Sequence, residues 1–129
     1  MKNKSLNFLG MALLYVAAST VQANSVDKHL QTYKQQGAPQ ADAAKGEQLW
    51  YASQNKRSCS SCHGAKPGDT GKHVKTRKLI EPMAVSANPD RYQDSKKIEK
   101  WFLRNCKWTF GRTCSVQEKA DILTWLASQ

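Results

Sequence analysis

Cys59-Ser60-Ser61-Cys62-His63 is the stretch of this chain whose residue types and spacing point most directly to chemistry. Two thiols three positions apart, followed at once by an imidazole, suit a c-type haem: each thiol adds across a vinyl group, and the histidine takes one axial position on iron. A thioredoxin-like dithiol shares the C-x-x-C spacing, but it requires a βαβ setting and makes no use of His63. A zinc site needs a further ligand at a workable spacing, and the remaining cysteines, Cys106 and Cys114, lie far along the chain.

What such an iron would do is set by its second axial position, and the residues leave several candidates. Met83 is the usual choice for an electron carrier, because a soft thioether keeps iron low-spin in both oxidation states. Asn105 completes an apolar stripe of Ile98, Trp101 and Phe102 at helical spacing. A buried amide there needs a partner, so it reads either as a helix C-cap, since asparagine tolerates the left-handed conformation, or as an oxygen donor to iron. His73, in a basic polar segment, is a further candidate, and an open or lysine-ligated iron completes the set.

The elements that must position these groups are short. Ser25 is placed to cap a helix carrying Val26, Leu30 and Tyr33, ended by Gly37 and Pro39. A second helix is expected from about Asp42 to Ser53, with Ala43, Gly46, Leu49 and Trp50 on one face. Gly46 leaves room for another helix to cross closely, and the segment resembles the N-terminal helix of small class I cytochromes c. After the pentad comes a turn-rich run from Gly64 to Asp69. A carbonyl in that run suits the Nδ1 proton of His63, and Pro67 resembles the proline that helps do this in the cytochrome c pattern. No period is sustained from Thr70 to Asp94, which reads as a wrapping loop holding Pro82, Met83 and Pro89. Regular structure returns near Asp94, and Ser115 with Glu118 forms a capping box for a last helix. Its Ala120, Ile122, Leu123, Trp125 and Leu126 suit packing on Gly46 and Trp50. The expected fold class is all-α, a small class I-like cytochrome c fold with about four helices wrapped around one covalent haem.

Residues 1–23 read as a cleaved secretory signal peptide: Lys2 and Lys4, an uncharged apolar run from Leu6 to Ala18, and Val21-Gln22-Ala23 as a small-x-small cleavage site. The run is shorter than the ~20 residues of a spanning helix. Residues 24–129 are then one monohaem cytochrome c domain, exported to the periplasm, soluble and without stable membrane insertion. An oxidising compartment also suits covalent haem attachment and any remaining disulfide. Removing the leader lowers the formal net charge from +10 to +8, a basic balance that steers a protein toward an acidic redox partner or an anionic membrane surface. Nucleic acid is set aside as a partner, for there is no helix-turn-helix or aromatic RNA-binding pattern. Lys72, His73, Lys75, Arg77 and Lys78 read first as a solvated face and second as a docking face, and a monomer is the default state. With Cys59 and Cys62 taken by haem, Cys106 and Cys114 remain as an intramolecular pair, as two free thiols, or as a dithiol acting with haem.

Taken together, the haem pentad, Pro82-Met83, Asn88-Pro89 with Arg91, and above all Lys100-Trp101-Phe102-Leu103-Arg104-Asn105-Cys106 followed by Gly111-Arg112-Thr113-Cys114 and Gln117-Glu118-Lys119 resemble the sphaeroides haem protein family of class I-like cytochromes. The resemblance covers most of residues 24–129. It implies His63 and Asn105 as axial ligands, a Cys106 to Cys114 disulfide, a diheme cytochrome c as electron donor, and ligand binding when the asparagine leaves reduced iron. Met83 matches a family position without a ligand role. An amide oxygen is a hard donor, better matched to ferric than to ferrous iron, so the implied release of Asn105 on reduction is chemically reasonable.

The leading expectation is therefore an exported cytochrome that accepts electrons from a redox partner and binds a small diatomic ligand, dioxygen or nitric oxide. Reduction or detoxification of that ligand does not follow, because no acid-base pair is evident; Tyr92, Trp101 and Arg104 are offered only as pocket-shaping residues. The competing expectations are a conventional electron carrier using His63 and Met83, and a haem-based ligand-binding or sensing module.

Overall fold

A computed structural model describes residues 25–129. In chain order these form α1 (Ser25–Gln35), α2 (Ala43–Tyr51), the single turn α3 (Ser60–His63), strands β1 (Gly71–Lys72) and β2 (Leu79–Ile80), a 3-10 turn (Pro89–Tyr92), α4 (Ser95–Phe110) and α5 (Val116–Ala127). The all-α expectation holds, with α3 added to the four longer helices. The expected leader, residues 1–23, lies outside the described residues.

Local chemistry fixes the helix ends. Asp42 caps α2 by accepting from the amides of Ala44 and Lys45 at 2.9 and 3.3 Å. Ser115 and Glu118 form the capping box of α5: the Glu118 amide donates to the serine Oγ, and the Glu118 carboxylate accepts from the Ser115 amide at 2.8 Å. Helix α4 runs five residues past Asn105 to Phe110, and Gly111 takes the left-handed C-cap conformation at φ +69°. The C-cap reading of Asn105 is thereby overturned: continuing the helix buries Cys106 and Thr109, and glycine meets the left-handed position without a Cβ clash. Where a featureless loop was expected, β1 and β2 pair antiparallel, Gly71 opposite Ile80 and Lys72 opposite Leu79.

The core forms where α2 and α5 cross. A Cβ built on Gly46 would lie 2.1 Å from the Asp121 carbonyl oxygen and 2.8 Å from the Trp125 Cβ, so only hydrogen permits this approach. The crossing buries Trp50, Leu123 and Leu126 almost completely, each worth ~1.5–3 kcal/mol relative to exposure. Trp50 and Trp125 pack in a tilted arrangement, 55° between planes, with ring centroids 5.3 Å apart. Asp121, itself buried, is satisfied from two sides: its carboxylate accepts from the Asp42 amide at 2.8 Å and from the Gln117 side chain at 2.7 Å. Helix α1 lies against α5, whereas α4 meets each other element only slightly. Ile98 of α4 joins the core and Phe102 packs against it, and polar ties add to this. The Tyr33 hydroxyl of α1 donates to Glu99 Oε1 at 2.5 Å, and Lys119 of α5 donates to Oε2 at 2.6 Å.

Two outcomes test this account. Gly46→Ala should lower the stability of the holoprotein by ~1–3 kcal/mol through overpacking, read from guanidinium unfolding; an unchanged midpoint would mean that the helices do not approach so closely. Partial burial works to raise the Glu99 pKa, but the hydrogen bonds from Lys119 and Tyr33 outweigh it and hold the carboxyl below its ordinary range. Its contribution is therefore complete above the unfolded-state pKa and is lost as pH falls through the depressed folded one. Glu99→Gln should cost roughly 0.5–1 kcal/mol near neutral pH, given the exposure of this pair, and the gap to the parent should close in acid. A gap independent of pH would refute the ionic account.

Candidate haem site

The haem-binding turn is assembled by its own serines. Ser58 and Ser61 bond reciprocally, each amide donating to the other's Oγ at 3.1 Å. The Ser58 and Ser60 hydroxyls lie 2.8 Å apart. This arrangement caps α3, a role that the spacing of Ser58 and Ser61 signals as it does in a capping box and that the reading of the pentad overlooked. Cys59 and Cys62 are not paired with each other, and both are partly buried. Burial pushes the Cys59 thiol up to about 11.

Helix α2 then holds the far side of the turn. Trp50 Nε1 donates to the Gly64 carbonyl at 3.3 Å, and the Tyr51 hydroxyl donates to the Ala65 carbonyl at 2.6 Å. The Trp50 ring also lies 5.6 Å from the His63 ring, centroid to centroid. From the opposite side β1 presses on the same turn: a Cβ on Gly71 would fall 2.3 Å from the Cys62 carbonyl oxygen and 2.8 Å from the His63 Cα. A glycine opening a two-residue strand gives little hint of this in sequence.

His63 ends α3, and its Nδ1 is buried without a hydrogen-bond partner among the described residues. Burial, reinforced by the positive charge of Arg91, lowers its pKa to about 4, so the imidazole is neutral and able to donate a lone pair. The Pro67 carbonyl is engaged elsewhere, accepting from the amides of Met83 and Ala84 at 2.7 and 2.9 Å. Pro67 thus anchors the Met83 segment and is not the acceptor for His63.

Met83 is fixed by its backbone from both sides, since the buried Tyr92 hydroxyl donates to its carbonyl at 2.5 Å while its side chain packs against the core. The carbonyl of Tyr92 in turn pairs with Nε2 of the buried His29 at 3.0 Å, which ties α1 to this segment. His73 is committed to the hairpin tip: its Nδ1 accepts from the amides of Lys75 and Thr76 at 3.3 and 3.1 Å. Asn105 is partly buried in α4 and makes no side-chain hydrogen bond to a described residue. Next to it, Cys106 is joined to Cys114 across a Cα separation of 5.6 Å. One turn further on, Arg57 reaches from the segment before the pentad, donating to the Trp108 carbonyl at 3.3 Å and lying 5.2 Å from that indole. Trp101 is half exposed, with the Arg104 guanidinium 5.8 Å from its ring.

These residues fit a covalently attached haem. Two unpaired thiols share one helical turn with a neutral imidazole whose buried nitrogen has no partner among the described residues. The rival readings fit less well. The strands form an antiparallel hairpin rather than a βαβ unit, and among the described residues no three Cys, His, Asp or Glu side chains converge as a metal cluster. Two surface cavities, about 290 and 450 Å³, lie beside α4 and α1 and include no residue of the pentad.

Comparison with known proteins agrees. Residues 36–126 match a domain of unknown function, DUF1924. The chain is 47% identical over 98 residues to the cytochrome c-type protein SHP of Cereibacter sphaeroides, covering 72% of this chain and 74% of that one. It is 37% identical over 71 residues to cytochrome c'' of Methylophilus methylotrophus, covering 55% and 49%. The structure of oxidised SHP, an oxygen-binding cytochrome c, superposes with a TM-score of 0.76 at 40% identity, over 84% of this chain and all of that one. A solution structure of cytochrome c'', concerned with haem-ligand detachment, superposes at 0.69 and 25% identity over 81% and 93%. With this kinship added to the thiols and imidazole of α3, the chain belongs to the DUF1924 family and is a haem-bearing c-type cytochrome of the sphaeroides haem protein family.

Proposed function

We propose that this protein is a periplasmic cytochrome with one haem c, ligated by His63 and Asn105, which accepts electrons from a redox partner and opens on reduction to a diatomic ligand, dioxygen or nitric oxide. The observation that carries this reading is the Asn105 amide, partly buried inside α4, without a hydrogen bond to any described residue, and adjacent to the disulfide-linked Cys106. The oxygen binding of the related SHP and the ligand detachment studied in cytochrome c'' support it. The leader-like residues 1–23 support export.

Bound haem supplies an iron that changes oxidation state by one electron and can take an external ligand at a free axial position. The chain's own groups set the conditions. Cys59 and Cys62 would hold the porphyrin through thioether bonds, and His63 would contribute a neutral nitrogen. Asn105 would contribute a hard oxygen, better suited to ferric than to ferrous iron. Once released, its amide NH2 can donate a hydrogen bond to an incoming ligand. The reductant in this reading is a diheme cytochrome c. The Tyr92 hydroxyl is committed to the Met83 carbonyl.

Met83 carries a second reading, a conventional His/Met electron carrier, because its backbone is fixed against Pro67 just beyond the haem-binding turn. Optical and resonance Raman spectra of the holoprotein separate the two. The ferric protein should be low-spin and become high-spin on reduction, Asn105→Ala should be high-spin in both states, and Met83→Ala should match the parent. Low-spin spectra in both oxidation states that depend on Met83 would establish the carrier and sink the asparagine switch.

A further inference from the structure

The β1–β2 hairpin has no part in holding Asn105 or Met83, yet it is the element laid directly on the haem-binding turn, through Gly71 against Cys62 and His63. Residues 70–80 include four cations, Lys72, Lys75, Arg77 and Lys78, and no acid. All four are exposed. Among them stand two large apolar side chains open to solvent, Leu79 at 72% and Val74 at 39%.

The tip presenting these groups is a built turn. The His73 amide donates to the Lys78 carbonyl and the Arg77 amide to the His73 carbonyl, both at 2.9 Å. The His73 ring spans the interior by accepting two further amides, and Arg77 adopts a positive φ of 61° to close the loop. Cationic side chains on a preorganised turn lose little additional entropy on docking. Small apolar contacts inside a charged rim are the composition of a transient protein interface.

We infer that residues 71–80 are the docking surface for an acidic face of the electron-donating protein, with the basic side chains steering it and Val74 and Leu79 making the dry contact. This rests on the electron-accepting role proposed above and names the surface through which it operates. One electron leaves the partner's redox centre and reduces ferric haem iron to ferrous, with the hairpin in contact at Gly71 with the residues proposed to hold the haem. An acidic protein is favoured over lipid because the tip has no aromatic anchor and no amphipathic helix to enter a bilayer.

The test uses the holoprotein and two photogenerated flavin semiquinones, anionic flavin mononucleotide and neutral lumiflavin. Lys75→Glu/Lys78→Glu should slow reduction by the anionic flavin about tenfold at low salt, leave the neutral flavin's rate unchanged, and lose the parent's dependence on ionic strength. In a readout independent of electron transfer, titrating polyglutamate should shift amide NMR signals of residues 71–80, and ~0.5 M salt should abolish those shifts. Equal slowing by Lys96→Glu/Lys100→Glu on α4 would assign steering to overall charge and overturn the inference. So would sedimentation with phosphatidylglycerol vesicles, abolished by the hairpin variant, in the absence of polyglutamate shifts. If neutral lumiflavin failed to reduce the parent holoprotein, the electron-accepting role itself would fall, and the docking surface with it.

Discussion

The approach of α2 to the backbone of α5 at Gly46 is the contact on which the remaining geometry depends. It places Trp50 and Tyr51 at the end of α2, where they hold the carbonyls of Gly64 and Ala65 and so orient the turn that carries the haem-attaching residues. The position of His63 is thus inherited from a helix crossing more than a dozen residues away in sequence. A methyl group at residue 46 would disturb His63, the proposed iron ligand, without touching it.

The molecule divides unevenly around this crossing. Helices α1, α2 and α5 pack as a bundle that buries Tyr33, Trp50, Leu123, Trp125 and Leu126. Helix α4 joins this core through Ile98 and Phe102 and is held further by Tyr33 and Lys119 through Glu99, by the reach of Arg57 to Trp108, and by a disulfide to the start of α5. Polar and covalent ties position a helix without surrounding it.

Much of this was legible in the residues. The pentad named the cofactor, the capping box and Gly111 marked helix ends, and Gly46 with the apolar run of α5 foretold the crossing, because each is a local rule with a definite geometric meaning. What escaped was what depends on distant pairing. Pro67 looks from its place after the pentad like the support for His63, but its carbonyl is claimed by amides sixteen and seventeen residues later. Asn105 looks like a helix end only if the burial of Cys106 and Thr109 is unknown. The hairpin was missed because two-residue strands are too short for alternation to declare itself. Its contact with Cys62 rests on the absence of a side chain.

The arrangement of the four cysteines also bears on how the protein matures. Four thiols permit three pairings, and an oxidising compartment would not by itself select the one that spares Cys59 and Cys62. Here the selection follows from position. Cys106 and Cys114 are close in sequence, buried and brought together by the end of one helix and the approach to the next. Cys59 is kept protonated by its surroundings, and a protonated thiol is a poor attacker of a neighbouring disulfide. The burial that raises the Cys59 pKa therefore works against exchange with the Cys106 to Cys114 disulfide.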